Sequence, residues 1–509
     1  MQTSFKVILN SIILYTKILI SIVINLVSVP LVLKALGNED YGLYCLIAGV
    51  ISMLAFLNTS MSISIQRYLS VSIGEKNTVN LQRVYNVGLL INILIGLTII
   101  AIFEVAYPFL FDGFLNINPN RISVAKIVYQ LLVLNTFFTV LSVPFEALLN
   151  AKEDMLSYSI INIAAGVFKL LLALILSLYA YDRLIFYSVG MMVIALAVLI
   201  AYILLIRIKY KDIEVSFTKY ANKDTFRQMI GYTGWNTFGA VAMLGRNQGL
   251  AIIINLFWGT IANTAYGIAN QINGALNYFS ATFQKAINPQ LMQSEGMNDK
   301  DRLIRLSYTS SKFSILVLSI IAVPLIIEMQ FVLRIWLGDI PMYTLLMSQL
   351  TLVLAIVFQY SSGLISSIQA VGKIKWYQII MSFIILLNLP ISYFLLKAGC
   401  NIYTIIVVCI VLEFISFLIR LLQSKYLVGF NVKEYLAKIV IPSFFTIIIP
   451  IIPCYLIHAI MDETWLRFLI VFTTYISLFS LLSWYLVFND SDKEVFKGAL
   501  NKILSLLNR

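Results

Sequence analysis

The chain is poor in charge. Asp, Glu, Lys and Arg make up only 12% of its 509 residues, about half the share of an ordinary soluble domain, which excludes a water-soluble globular protein. A single histidine, His458, excludes a His-rich metal centre. Four cysteines (Cys45, Cys400, Cys409, Cys454) lie in or beside apolar runs without CxxC spacing. They read as small apolar packers, not as a disulfide frame or metal site. The first apolar run, from Val7, lacks a small-residue cleavage site, so no cleavable signal peptide is evident. No Walker-type loop is present to hold ATP. The net charge of +12 has no basic soluble domain to carry it, so it does not point to nucleic acid.

What the chain has is hydrophobic length. Apolar residues make up 60% of it, and about 20 in a row are enough to cross a bilayer. Fourteen runs qualify: 9–33, 41–65, 84–109, 123–149, 156–180, 184–206, 229–257, 262–288, 313–337, 342–370, 377–396, 402–423, 439–460 and 466–488. The expected fold is an all-α integral membrane protein with about 14 transmembrane helices. Pro30, Pro108, Pro144, Pro289 and Pro324, in or near span ends, are expected bend points. Fourteen spans place both termini on one side. Sorted by this map, with residues near a run's end given to the side they adjoin, 26 Lys and Arg fall on the terminal side, 7 on the other and 3 within spans (Lys17, Lys169, Arg246), so the terminal side is cytoplasmic by the positive-inside rule. The tail Ser491–Arg509 reads as an amphipathic helix opened by a Ser491/Glu494 capping box, with Phe496, Leu500, Ile503, Leu504 and Leu507 on one face.

The chain also repeats. Asn150-Ala-Lys-Glu-Asp-Met-Leu-Ser-Tyr-Ser-Ile160 matches Gln369-Ala-Val-Gly-Lys-Ile-Lys-Trp-Tyr-Gln-Ile379 at an offset of 219, and Tyr41-Gly-Leu matches Tyr266-Gly-Ile at 225. The matches lie six helices apart, an even number, which implies two parallel, pseudo-symmetric six-helix lobes around a central cavity. The expected organisation is an N-terminal lobe (1–208), a cytoplasmic linker (209–228), a C-terminal lobe (229–426), two additional helices (427–488) and the tail (489–509).

Several motifs, in order, resemble a known family: Leu36-Gly37-Asn-Glu-Asp-Tyr41-Gly42-Leu-Tyr44, Leu57-Asn58-Thr-Ser-Met-Ser-Ile-Ser-Ile-Gln-Arg67, Gly231-Tyr-Thr-Gly-Trp235-Asn, Ala262-Asn-Thr-Ala-Tyr266-Gly-Ile-Ala-Asn270-Gln271-Ile, Trp336-Leu337-Gly338 and Ile368-Gln-Ala370-Val-Gly372-Lys. They are similar to the polysaccharide-type flippase branch of the multidrug/oligosaccharidyl-lipid/polysaccharide exporter superfamily. The resemblance implies a fourteen-helix, two-lobed fold in a bacterial cytoplasmic membrane. It implies flipping of an undecaprenyl-diphosphate-linked oligosaccharide, an O-antigen or capsule unit, with polysaccharide polymerase and chain-length proteins as partners besides membrane lipids.

An ionised side chain at bilayer depth costs a few kcal/mol or more, so it commonly faces a cavity or a partner. Lys17 and Arg246 lie near mid-span in the first helix of each lobe. They are the candidates for the cargo's diphosphate, Arg as a planar fork and Lys as a point charge. Arg67 is a candidate first contact for the incoming diphosphate. Lys169 is an accessory candidate, expected to pair with a carboxylate inside its lobe. Asn247, Gln248, Asn270 and Gln271 are candidate sugar contacts. Glu104, Glu146, Glu328 and Glu413 are candidates for ion coupling by H+ or Na+; no cofactor is expected.

Three other readings stay open. An ion-coupled multidrug or metabolite antiporter of the same superfamily would favour acidic cavity residues. A membrane enzyme could use Glu39-Asp40 as an acidic pair, but the outer loops are too short for a substrate domain, and a solvated loop pair is the plain reading. A scaffold without transport would leave the buried charges unexplained.

Overall fold

The computed structural model describes residues 2–111, 117–490 and 492–494. Among them the chain is helical, without strands. The first half comprises α1 (Gln2–Ser52), α2 (Ala55–Gly74), α3 (Thr78–Phe109), α4 (Ile122–Ala151), α5 (Met155–Leu176), α6 (Arg183–Lys209) and the single turn α7 (Phe217–Tyr220). The second half comprises α8 (Lys223–Gly296), α9 (Lys300–Ile327), α10 (Met329–Leu337), α11 (Thr344–Gln359), α12 (Ser362–Val371), α13 (Lys375–Lys397) and α14 (Thr404–Leu427). Then follow α15 (Val432–Tyr435), α16 (Ile441–Ile448), α17 (Ile451–Ile460) and α18 (Trp465–Leu482). The chain divides into two compact units, Asn10–Thr237 and Phe238–Arg509 with Met1–Leu9.

Among the described residues, eleven helical runs are long and apolar enough to cross a membrane, or twelve if α11 and α12, bent by 44°, are one span. The difference from fourteen lies in two runs of 44 and 74 residues, both longer than a single crossing of about 20 residues needs. Each is interrupted by one glycine, Gly37 (φ 78°, ψ 171°) and Gly259 (φ 75°, ψ −169°). That backbone region is almost closed to other residues, so hydropathy reads two runs where hydrogen bonding reads one. Pro30, Pro108, Pro144 and Pro289 sit inside helices. The non-helical backbone lies at the glycines instead. Only Pro324 stands just before a helix break, four residues ahead of Glu328, which separates α9 from α10.

The repeat is visible in the backbone. Gly259 lies 222 residues after Gly37. Left-handed Asn298 lies 222 after left-handed Lys76 (φ 55° in both). The next residues, Asn77 and Asp299, cap α3 and α9 by accepting from the backbone N–H three residues on (2.9 Å each). Glu153 (φ 59°) and Gly372 (φ 86°) end α4 and α12 at an offset of 219. The 219 match therefore has a structural counterpart. The 225 match of Tyr41 with Tyr266 is about one helical turn out of step, because the turn at Gly37 and Gly259 sets 222.

The linker after α6 is bound to the first unit. Gln82 and Asn86, one turn apart on α3, both buried, read an extended backbone at alternate residues. Gln82 donates to Asp212 O and accepts from Glu214 N–H (3.0 Å). Asn86 donates to Glu214 O (2.8 Å) and accepts from Ser216 N–H (2.8 Å). Two amides thus satisfy a segment that would otherwise expose its polar groups.

Most of the tail Ser491–Arg509 lies outside the described residues, so its apolar face is not seen. The expected Ser491/Glu494 capping box includes Ser491, which also lies outside them; at the root of the tail Asn489 and Asp492 make a capping pair. Asp492 N–H donates to Asn489 Oδ1 (2.9 Å) and Asn489 N–H to Asp492 Oδ2 (3.1 Å). Lys312 pairs with the same Asp492.

Candidate functional site

In the first unit, α1, α4, α5 and α6 converge on a polar cluster. Lys17, half-buried on α1, places its ammonium 5.1 Å from the centroid of the Tyr158 ring on α5, a favourable cation–π distance. Tyr158 neighbours the fully buried Tyr202 of α6. The Tyr202 hydroxyl accepts from Asn162 Nδ2 (2.9 Å) and meets the Glu146 carboxylate from α4. Ammonium, two phenols, an amide and a carboxylate thus lie in sequence within an otherwise apolar bundle.

In the second unit, Arg246 of α8 holds Asn247 Oδ1 through Nε (3.2 Å) and Nη2 (3.0 Å). Tyr266 and Cys409 lie within its electrostatic reach, and Asn270 hydrogen-bonds Tyr266. Asn388 donates to Cys409 Sγ (3.0 Å) and Ser392 to Asn388 Oδ1 (3.0 Å). Gln248, Asn270 and Gln271 are exposed. Asn270, Gly267, Gly274 and Tyr278 follow helical spacing, so α8 carries a polar, small-residue face suited to water or a polar ligand, not to lipid.

Lys17 and Arg246 do not occupy equivalent positions. The 222-residue register sets Lys17 opposite Gly239. Arg246 stands seven residues beyond Gly239, on the same face of α8 but about 10 Å further along its axis. A side chain at Gly239 would collide with Gln378, the residue after Tyr377.

The other candidates scatter. Arg67 is buried, with its guanidinium 4.7 Å and 5.2 Å from the rings of Tyr68 and Tyr232. Lys169 is exposed on α5, and no ion pair to a carboxylate forms there among the described residues. Glu104 is exposed and accepts from Gln130 (3.3 Å). Glu413 is buried and ion-paired with Arg420, which also donates to Ser361 Oγ (3.0 Å). Glu328 is fully buried and accepts from Arg467 (2.8 Å) and His458 (3.0 Å). Asp40 is buried and paired with Arg121, which also binds Asp182 (2.6 Å); Glu39 accepts from Asn118 (3.0 Å). The Glu39-Asp40 pair is thus structural on its Asp side, not a solvated loop pair. No group of three or more metal-ligating side chains occurs among the described residues.

Three residues in these clusters were not singled out from sequence. Arg420, three residues from the end of the 402–423 run, is buried within α14. Its spacing of seven from Glu413, two turns on one face, was the available signal. Arg467 and Tyr202 carry no local signal.

Outside the spans, Asp154 forms a clasp with the end of α6. Burial opposes its ionised form, but Lys209 (2.6 Å), Ser157 and Tyr210 (2.9 Å) donate to it and hold its carboxyl below the usual carboxylate range.

Residues 13–175 match the MatE family model. No curated protein matches the sequence. Solved structures match across most of the chain. One is MATE in the bent conformation (TM-score 0.71, 13% identity, 85% of this chain and 98% of that one). Another is the outward-facing conformation of a multidrug resistance MATE family transporter of the MOP superfamily (0.71, 12%, 85% and 97%). A third is a MOP superfamily transporter from Pyrococcus furiosus, whose reverse polarity of the binding pocket suggests a different function (0.70, 12%, 84% and 96%). At these identities the likeness is one of fold. Together with the MatE match it supports the superfamily that the motifs resemble, without distinguishing its branches.

Proposed function

We propose that the chain is a secondary membrane transporter that works by alternating access and moves a cargo with an anionic head. The supporting observation is a division among the buried charges. Glu328 and Glu413 are neutralised by Arg467 and Arg420. The mid-span cations Lys17 and Arg246 form no ion pair with a carboxylate among the described residues; an aromatic ring and an amide attend them instead. Cations kept from carboxylates suit an anion that comes and goes. With the motif resemblance, the cargo is a lipid-linked oligosaccharide diphosphate: Lys17 and Arg246 take the diphosphate, and Asn247, Gln248, Asn270 and Gln271 take sugar hydroxyls. Glu146, bonded to the buried Tyr202 phenol, is the coupling candidate for H+ or Na+.

The second reading, an ion-coupled multidrug antiporter, is favoured by the MatE match and by the multidrug transporter among the fold relatives, which speak for it more than for the flippase. Liposomes distinguish the two. The flippase reading expects transbilayer movement of a fluorescent undecaprenyl-diphosphate oligosaccharide. Lys17→Ala and Arg246→Ala should each slow it about ten- to a hundredfold, the loss of one charge-assisted contact. Undiminished movement in both variants rejects the site. Export of cationic dyes without glycan movement selects the antiporter.

A further inference from the structure

The chain's single histidine stands where the last helices meet the second lobe. Glu328, at the break between α9 and α10, has no exposed surface. Its Oε2 accepts from Arg467 Nη2 of α18 (2.8 Å), and its Oε1 lies 3.0 Å from His458 Nδ1 of α17. Arg467 is itself buried and also donates to Met461 O (3.3 Å). His458 keeps 30% of its side chain exposed, and the Tyr455 ring stacks beside it, centroids 6.3 Å apart. Arg334 of α10 and Glu463 of the α17–α18 loop form a neighbouring pair (2.9 Å). By the lysine and arginine distribution this end faces away from the cytoplasm.

We propose that Glu328, Arg467 and His458 form a proton-binding latch that fastens the α17–α18 pair to the second lobe. In the neutral imidazole, Nδ1–H donates to Glu328, and Nε2 carries the lone pair. A proton from water binds Nε2 and leaves the Nδ1–H···carboxylate bond in place, so His458 gains one positive charge and nothing else is exchanged. Glu328 is then held by two cations.

The sign follows from geometry. Arg467 binds the other oxygen of Glu328, so the carboxylate is nearer to the imidazole than the guanidinium is, and attraction exceeds repulsion. Arg334 and Glu463 cancel in charge. An imidazole changes charge between pH 5 and 8, and a charge-assisted hydrogen bond is about twice as strong as a neutral one. The latch therefore tightens in acid and loosens in alkali. This holds whichever cargo the protein moves, and it assigns Glu328 to the latch and not to ion coupling.

Hydrogen exchange of residues 455–470 in the full chain in detergent tests it, at pH 5.5 and 8 and corrected for intrinsic exchange, with α3 as internal control. Wild type should be protected about five- to tenfold more at the lower pH, with α3 unchanged. His458→Gln should abolish the pH dependence. His458→Arg, which carries a fixed charge, should hold the protection at both pH values. Equal protection of wild type at the two pH values overturns the proposal, as does pH dependence that survives in either variant.

Discussion

The two halves place the same backbone turns at the same intervals and fill them with different side chains. Where α4 ends, the first half puts Glu153 into a left-handed conformation and the second puts Gly372 there. Tyr158 and Tyr377, also 219 apart, each meet a cation, but not the same one. Tyr158 receives Lys17 from α1, whereas Tyr377 hydrogen-bonds Arg420 of α14. The breaks differ too. α3 and α4 run unbroken through the levels at which α9 gives way to α10 and α11 to α12. The shared feature is thus the path of the chain; the charges inside each half are specific to it. Glu413–Arg420 has no counterpart, because α6 carries no charge between Arg183 and Arg207.

The largest way to break the comparison is therefore in the second half. Glu413→Ala leaves Arg420 buried without its carboxylate, and such losses cost about 3–5 kcal/mol. The double change Glu413→Leu with Arg420→Met gives this stretch of α14 the charge-free course that α6 has between Arg183 and Arg207 and should recover most of the loss. Denaturant unfolding in detergent micelles checks both. Equal stability of the single and double variants would remove the ion pair from the account.

Next comes close packing. A Cβ on Gly363 would collide with the backbone oxygen of Ser307, where α12 crosses α9. A backbone atom cannot yield, so Gly363→Ala should cost about 1–3 kcal/mol. Gly88 of the first half offers the contrast. Its added Cβ would sit 3.4 Å from Ile65 side-chain atoms, an ordinary contact, and Gly88→Ala should be close to neutral by the same unfolding assay.

How much of this was legible beforehand depends on distance along the chain. The apolar runs show that the protein is helical and membrane-spanning, because each span is a local property. The repeat was legible at Asn150 and Gln369, where turn chemistry is local as well. The 225 match is out of register because Tyr41 lies four residues after Gly37 and Tyr266 seven after Gly259, and a three-residue shift inside a helix leaves no mark in composition. The charges were legible as candidates, not as partners. Glu328 finds His458 and Arg467 at separations of 130 and 139 residues, and no periodicity reaches that far. Arg420 stands three residues from the end of the 402–423 run, where a basic residue reads as a flanking charge.

Acid should separate the halves more mildly. Asp154 is held below the usual carboxylate range by Lys209, Ser157 and Tyr210 against the cost of burial. Its depressed pKa stabilises the folded state above the unfolded value, about 4. That contribution is lost as pH falls through the folded value. The second half has Lys373 at the matching position, so its α12–α13 turn has no such carboxylate to lose. Hydrogen exchange between pH 5 and pH 3, corrected for intrinsic rates, should show residues 150–157 and 209–212 loosening while residues 369–376 hold. Loosening of both turns together would mean that a global change, not Asp154, is responsible.

The smallest effect is the sharpest test of the repeat itself. Lys76 and Asn298 hold one backbone conformation, φ 55°, between successive helices. Both precede a capping residue, and Lys76 is exposed. Asparagine tolerates the left-handed region better than lysine, because its short amide can hydrogen-bond locally. If the two turns are one motif used twice, the residues should exchange with opposite signs. Lys76→Asn should stabilise by about 0.5 kcal/mol and Asn298→Lys destabilise by about as much, out of the 1–2 kcal/mol that left-handed backbone costs most residues. The double exchange should then return close to wild type, since each turn is local and well-separated sites add. Unfolding midpoints of the two single variants and the double variant decide it. Changes of the same sign in both turns would mean that the left-handed residue is set by its surroundings in each half, and that the common 222-residue interval is geometry without shared chemistry.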